Sequence, residues 1–241
     1  MIAALGMYDR PEIREANDRL WSLIRSELDY GPQDLTRQED MWSIWQSPDL
    51  LLAQTCGLPF RHRLHKNVQL VGTPDYAVEG CPPGYYRSVI VARRGGGADL
   101  GGLENLRFAY NEKLSQSGWA AFWGHVPIGS APKELVQTGA HLASAQAVSE
   151  GLADIASLDA VTWNLIQAYE RFAKNLVVLA ETRPTPGLPL ITSTTQNAAE
   201  IRDAVQNAIH ALEEESKNLL QIRDFVSIAR ESYLAEPLPP V

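Results

Sequence analysis

The chain has 241 residues, 45% hydrophobic and 21% charged, enough to bury a full core in one large domain or in two lobes of ordinary size. A formal charge of -8 argues against a sequence-independent nucleic-acid binder, which needs a basic stripe for the phosphates, although a few N–H groups at a helix start can still hold a small anion. No apolar run approaches the roughly 20 residues that span a bilayer, and the first residues lack the basic and apolar regions of a signal peptide. The expectation is a chain without membrane insertion and, as written, not addressed for export.

In chain order, residues 2–7 are a short apolar run that reads as a buried strand. Asp9, Pro11 and Glu12 then supply a helix cap, a first-turn proline and an acidic first turn. Ile13, Ala16, Leu20, Trp21, Ile24 and Leu28 recur mostly at helical spacing, and Gly31 with Pro32 gives the stop. The strand signal returns at 50–54, running into Thr55, Cys56 and Gly57, and at 68–71, running into a turn at Gly72, Thr73 and Pro74. Residues 85–92 read as a further strand, and a glycine-rich loop without hydrophobic period follows at 93–102. A second series then runs through strand 106–111, a turn from Ser115 to Gly118, a helix start at 119–123 and a short strand at 133–138. It continues with a helix from His141 to Glu150, strand 153–157 and helix 160–174. Residues 176–180 and 188–191 look like a return connection, and 198–212 and 219–234 are helical by pattern.

Strands alternating with helices predict an α/β fold whose sheets are mostly parallel and flanked by helices, with ligands at the carboxyl ends of the strands. The economical topology is two lobes joined by two crossover strands that serve as a hinge. Residues 1–88 plus 181–241 then make a discontinuous lobe I, and residues 89–180 make lobe II.

The strongest local signal is the stretch from Asn111 to Gly118, where Ser115, Gln116, Ser117 and Gly118 open an apolar helical run. Orphan N–H groups, the positive end of the helix dipole and two hydroxyls make a neutral cradle for phosphate, sulfate or carboxylate. The same serines also suit plain helix capping. Thr55, Cys56 and Gly57 offer a weaker version. His141 stands at a helix start after Thr138, Gly139 and Ala140, with Ser144 one turn later, and could donate to an anion.

Catalytic signatures are thin: there is no Gly-x-Ser-x-Gly elbow, no phosphate-binding Gly-x4-Gly-Lys-Ser/Thr loop and no Gly-x-Gly-x-x-Gly between strand and helix. His62 and His65 sit among Arg61, Arg63 and Lys66, whose charge disfavours a bound cation, so no metal and no cofactor are expected. Trp42 and Trp45 suit a core face better than an aromatic ligand wall. Cys56 and Cys81, about 25 residues apart, leave two readings open. A disulfide would add roughly 3 kcal/mol and imply an oxidising compartment; the alternative is two thiols.

Four stretches taken together resemble the phosphate-, phosphite- and phosphonate-binding components of ABC importers, which have the type II periplasmic-binding-protein architecture. They are Met7, Tyr8 and Asp9 leading into residues 17–21; residues 54–57 followed by 71–74; Ser115, Gln116, Ser117 and Gly118; and residues 139–144 followed by 151–159. The resemblance implies two α/β lobes that close on the ligand, with Ser115, Gln116, Ser117 and Gly118 as the oxyanion-binding turn. His141 matches the histidine of the Gly-x-His-x-x-Ser stretch, and Tyr8 and Asp159 match cleft-lining positions. Asp9, Thr55 and Cys56 complete the expected ligand-binding set. Gln116 departs from the small hydroxyl residue common in the phosphonate binders. Because Asp9 and Asp159 would both repel an anion, a ligand with an ammonium group or a protonated oxygen is expected.

The function so implied is capture of a small oxyanion for an importer permease, by a monomer that makes no bonds. Its location would be periplasmic if an export signal precedes this start, and cytoplasmic otherwise. Two alternatives keep the fold: a leaderless cytoplasmic sensor, or an enzyme resembling thiamin-pyrimidine synthases, whose chemistry would rest on His62, His65 or Cys56.

Overall fold

A computed structural model describes residues 1–239; residues 240–241, the last two expected in lobe I, lie outside the described residues. The strands are β1 (Ile2–Ala4), β2 (Leu50–Gln54), β3 (Val68–Asp75), β4 (Tyr85–Tyr86), β5 (Ser88–Arg93), β6 (Arg107–Tyr110), β7 (Glu134–Gln137), β8 (Ile155–Asp159), β9 (Leu176–Glu181), β10 (Thr185–Pro186), β11 (Leu190–Ser193) and β12 (Asp224–Val226). The helices are α1 (Arg14–Leu28), α2 (Met41–Trp45), α3 (Gly57–Pro59), α4 (Ala121–Trp123), α5 (His141–Glu150), α6 (Ala160–Tyr169), α7 (Ala198–Ala211), α8 (Glu214–Leu220) and α9 (Arg230–Leu234). Short π-helical turns at Phe60–Leu64 and Gln116–Ala120 extend α3 and precede α4.

The chain divides into two compact units. Unit 1 joins Met1–Tyr85 to Pro186–Ala235, and unit 2 holds Tyr86–Thr185 with residues 236–239. Among the described residues, 86–88, 181–185 and 236–239 thus group with unit 2, whereas the sequence-based expectation puts them in lobe I. Glu236 is fixed there by an ion pair to Arg183. The boundary segments β4 and β10 pair as a two-stranded sheet.

In unit 1 the strand order is β1-β2-β11-β3-β12. Strand β1 is parallel to β2, whereas β11 runs antiparallel to both β2 and β3, and β12 antiparallel to β3. In unit 2 the order is β7-β6-β8-β5-β9, with β6 parallel to β7 and β8, and β5 antiparallel to β8 and β9. The sheets are therefore mixed rather than mostly parallel. In each, the strand that arrives just after a crossing between units, β5 or β11, inserts against the direction of its neighbours.

Alternation along β5 fills both faces of the second sheet. Val89 and Val91 pack with Ala145 and Val148 of α5 and Trp163 and Ile166 of α6, while Ile90 and Ala92 pack with Phe108, Trp119 and Phe122. In unit 1, Ala4, Leu50, Ala53 and Ile191 share a core with Phe60 and Tyr233.

Several boundaries differ from expectation for identifiable reasons. Strand β3 continues through Gly72, Thr73 and Pro74, because β12 pairs with Thr73, Pro74 and Asp75. Pro74, with no N–H to give, falls past the last β11 partner, Gly72. Gly72 is needed there, since a Cβ on it would sit 2.5 Å from the Phe225 ring. The expected helix at 219–234 is instead the end of α8, strand β12 and α9; Gln221, left-handed at φ 57, stops α8. Helix α6 ends at Tyr169, and a 3-10 turn, Arg171–Asn175, replaces its expected last turn. Strand β8 starts at Ile155, two residues later than expected, because Asp154 is held by the backbone and guanidinium of Arg107.

Candidate functional site

In unit 2 the turn after β6 is built as a cap with a wide first turn. The Ser115 side chain accepts from the Gly118 N–H at 2.9 Å, and the Ala120 N–H reaches back five residues to the Ser115 carbonyl at 3.0 Å. The Ser117 carbonyl accepts from two buried hydroxyls, Ser88 Oγ at 3.1 Å and Ser157 Oγ at 2.7 Å. These come from neighbouring strands β5 and β8, so the sheet itself fixes the turn. Gly118 is required by close packing: a Cβ there would lie 1.9 Å from Asn111 Oδ1 and 3.1 Å from His141 Cε1.

The turn leads directly to the two other expected residues of this unit. His141 Nε2, at the start of α5, lies 2.9 Å from Ser117 Oγ and 3.5 Å from Asp159 Oδ2. Asp159 is nearly fully buried and caps α6, its Oδ1 accepting from the Thr162 N–H at 2.8 Å. Burial pushes the His141 pKa down, and this outweighs the nearby Asp159 carboxylate and the Ser157 carbonyl, which favour the charged ring. Ser144, on the same helix, bonds to Thr138 Oγ1 at 2.7 Å rather than to the site.

In unit 1 the other expected residues follow β1 (Tyr8 and Asp9) and β2 (Thr55 and Cys56). Asp9 does not cap the helix; the cap position falls on Arg10, and the Asp9 carboxylate turns to Arg37 Nε at 2.6 Å and Asn17 Nδ2 at 3.1 Å. Arg37 also bonds Asp18 at 2.7 Å. Burial disfavours the Arg37 charge, but these hydrogen bonds outweigh it and hold the guanidinium protonated. The Tyr8 ring meets Tyr76 edge-on at 5.1 Å, and the Tyr76 hydroxyl accepts from buried Gln54 Nε2 at 2.9 Å. Thr55 is fully buried and its hydroxyl has no hydrogen-bond partner. Cys56 begins α3 without a side-chain capping bond. Of the two readings for the cysteines the structure has thiols: Cys56 and Cys81 are not joined. Trp45 is core, donating to the Gln54 carbonyl, while Trp42 carries Arg63 over its ring at 5.2 Å.

Ser115, Gln116, Ser117, Gly118, His141 and Asp159 therefore converge within unit 2, and Tyr8, Asp9, Thr55 and Cys56 belong to unit 1. Sequence reasoning missed Ser88 and Ser157, two hydroxyls inside apolar strand runs, and Arg37, which lies in an irregular segment with no period. It also passed over the Asn111 side chain, whose buried Oδ1 has no hydrogen-bond partner. Among the described residues no group of three or more His, Cys, Asp or Glu side chains could hold a metal ion, and no helix is long and apolar enough to cross a membrane.

Residues 49–233 match a family described as "ABC transporter, phosphonate, periplasmic substrate-binding protein". No curated protein matches the sequence. Among solved structures, a binding-protein component of an ABC phosphonate transporter from Pseudomonas aeruginosa is similar at TM-score 0.73 and 15% identity, covering 96% of this chain and 82% of that one. PhnD1 from Prochlorococcus marinus, in complex with methylphosphonate, is similar at 0.69 and 16%, covering 96% and 94%. A histidine kinase sensor domain with similarity to periplasmic binding proteins follows at 0.59 and 16%, covering 100% and 98%. At these identities the structural likenesses establish the fold.

Proposed function

Since the chain belongs to the phosphonate family of ABC-transporter periplasmic substrate-binding proteins, we propose that it captures a small phosphonate-type oxyanion on the turn from Ser115 to Gly118 and passes it to an importer permease. The observation that carries this reading is the Ser117 hydroxyl, held 2.9 Å from His141 at a turn anchored by its neighbouring strands. Ser115 is occupied by the Gly118 N–H and acts as the cap. Ser117 and His141 supply the side-chain donors, beside the N–H groups of a helix start.

The complex of the Prochlorococcus protein makes methylphosphonate the first ligand to try. Asp9 is matched by Arg37 and Asn17 and no longer calls for an ammonium group on the ligand, whereas Asp159, capping α6 and facing the imidazole of His141, keeps its call for a protonated or cationic partner beside the anion.

Binding without bond chemistry also suits the geometry. A Ser-His-Asp relay needs serine and aspartate on opposite ring nitrogens, but Ser117 and Asp159 both address Nε2. A periplasmic location and a monomeric state accompany this reading. The likeness to a histidine kinase sensor domain favours one second reading, in which the same seat reports its ligand to a signalling partner.

Thermal unfolding against methylphosphonate, phosphite, phosphate, methanesulfonate and acetate tests the proposal. A specific ligand at 100 times its Kd should add about 2.7 kcal/mol to stability, and Ser117→Ala should remove most of it. A panel in which no oxyanion shifts the transition would sink the reading.

A further inference from the structure

The anion seat of unit 2 carries an unusual charge balance. Its polar groups are Ser115, Gln116, Ser117, Asn111, Ser88 and Ser157, all neutral, together with the buried carboxylate of Asp159 and the imidazole of His141. Three cations of this unit are committed to other partners. Arg183, which shares a recess with Gln116, is paired to Glu236, and Arg87 is paired to Glu181. Lys113, in the loop before the turn, lies over the Trp119 ring at 5.7 Å.

An oxyanion arriving on this turn therefore brings a second negative charge beside Asp159, with one group in the seat able to offset it. His141 has the geometry for that task. Its Nε2 faces the Ser117 hydroxyl at 2.9 Å and Asp159 Oδ2 at 3.5 Å, so a proton taken up at Nε2 lies between the existing carboxylate and the hydroxyl that meets the anion, the ring's resident proton then being the one on Nδ1, which is buried with no hydrogen-bond partner. Asp159 cannot move away, because its other oxygen caps α6.

We propose that capture of the anion is coupled to proton uptake: His141 is neutral in the free protein and becomes an imidazolium, bridging Asp159 and the ligand, when the seat is filled. This rests on the Ser115–Gly118 turn being the seat. Burial lowers the free ring's pKa, which agrees with a neutral starting state. Asp159 is the charged side chain that acts on the ring; Glu150 of α5 and Arg107 of β6 belong to the other end of that helix, where Arg107 donates to the Gly151 carbonyl and to Asp154. The proton comes from solvent, and the seat changes by one positive charge as the ligand enters. Affinity should consequently fall as pH rises above neutral, by up to about tenfold per pH unit for one linked proton.

Nitrogen-detected imidazole NMR on the unmodified protein, with and without saturating methylphosphonate or methanesulfonate near pH 7, reads the ring state directly; five histidines make assignment tractable. The second anion does not titrate near neutrality, so any proton taken up with it belongs to the protein. One histidine should shift from neutral to imidazolium. Calorimetry in buffers of different ionisation enthalpy should give between about half a proton and one proton absorbed per anion. His141→Gln should abolish that uptake for methanesulfonate and weaken binding by roughly ten- to a hundredfold. Binding with every imidazole still neutral, or uptake of methanesulfonate with an undiminished proton count in His141→Gln, would overturn the proposal while leaving the anion seat intact. If neither anion binds the unmodified protein, both the seat and the proton coupling fall.

Discussion

In unit 2 the carboxylate that ends β8 caps a helix with one oxygen and faces His141 with the other, whereas in unit 1 the Asp9 carboxylate after β1 is gripped by Arg37 and Asn17. The first carboxylate leads through His141 to a hydroxyl at a helix start. The second is neutralised on the spot. The hydroxyls differ as well: Ser117 has His141 as a neighbour, and Thr55 is buried with no hydrogen-bond partner. The same residue type at a strand end thus has a role set by the partner it meets, a guanidinium for Asp9 and an imidazole for Asp159, and position relative to the sheet does not decide that alone.

The largest expected effect is at Gly118. Gly118→Val places side-chain atoms where Asn111 and His141 already sit, and should cost about 3 kcal/mol or more in urea unfolding while abolishing anion binding. Retained binding would mean that the turn can open without loss. Next comes the neutralised carboxylate of unit 1: Arg37→Met should cost about 2–3 kcal/mol, less than a fully buried pair because the Arg37 side chain is 22% exposed. Asp9→Asn in the same chain should recover most of that; no recovery would show that Arg37 acts through Asp18 or through packing instead.

Ser117→Ala should lower oxyanion affinity by about ten- to a hundredfold with little change in stability, as measured by calorimetry. The pH dependence of stability is smaller. Because folding lowers the His141 pKa below its ordinary 6.5, the unfolded chain holds a proton that the folded chain lacks in the window just below 6.5. Stability should fall as pH drops through that window, by at most about 1.4 kcal/mol per pH unit, and His141→Gln should flatten this part of the profile. The smallest effect should be at Thr55. Thr55→Val removes a buried hydroxyl without a partner and should leave stability unchanged or raise it by about 1 kcal/mol. A loss of oxyanion affinity in the same variant would place that hydroxyl on the ligand.

Much of this was legible in the sequence. Strand β2 and helix α1 announce themselves by an apolar run and by helical spacing, and the serines at 115 and 117 mark a helix start because short hydroxyl side chains reach the first-turn N–H groups. What escaped is what long-range pairing decides. The spacing of Leu220, Ile222, Phe225 and Val226 fits a helix as well as a strand, and the choice is made by the free edge of β3, more than 140 residues earlier in the chain. The grip of Arg37 on Asp9 joins an irregular segment to a strand end across 28 residues, and no local pattern encodes it. Asp9 looked like a helix cap because sequence shows only its neighbours.

The strand order of unit 1 also sets a timetable for synthesis. Strand β11 lies in the middle of that sheet, between β2 and β3, yet it is made after all of residues 86–185. A nascent chain that has just emitted residue 185 already owns every strand of the second five-stranded sheet, whereas its first sheet still has a gap at the centre, with the edges of β2 and β3 bare. The later-numbered unit should therefore mature first on the ribosome, and the amino-terminal segment should wait, exposed to chaperones, until residues 190–193 arrive to close it.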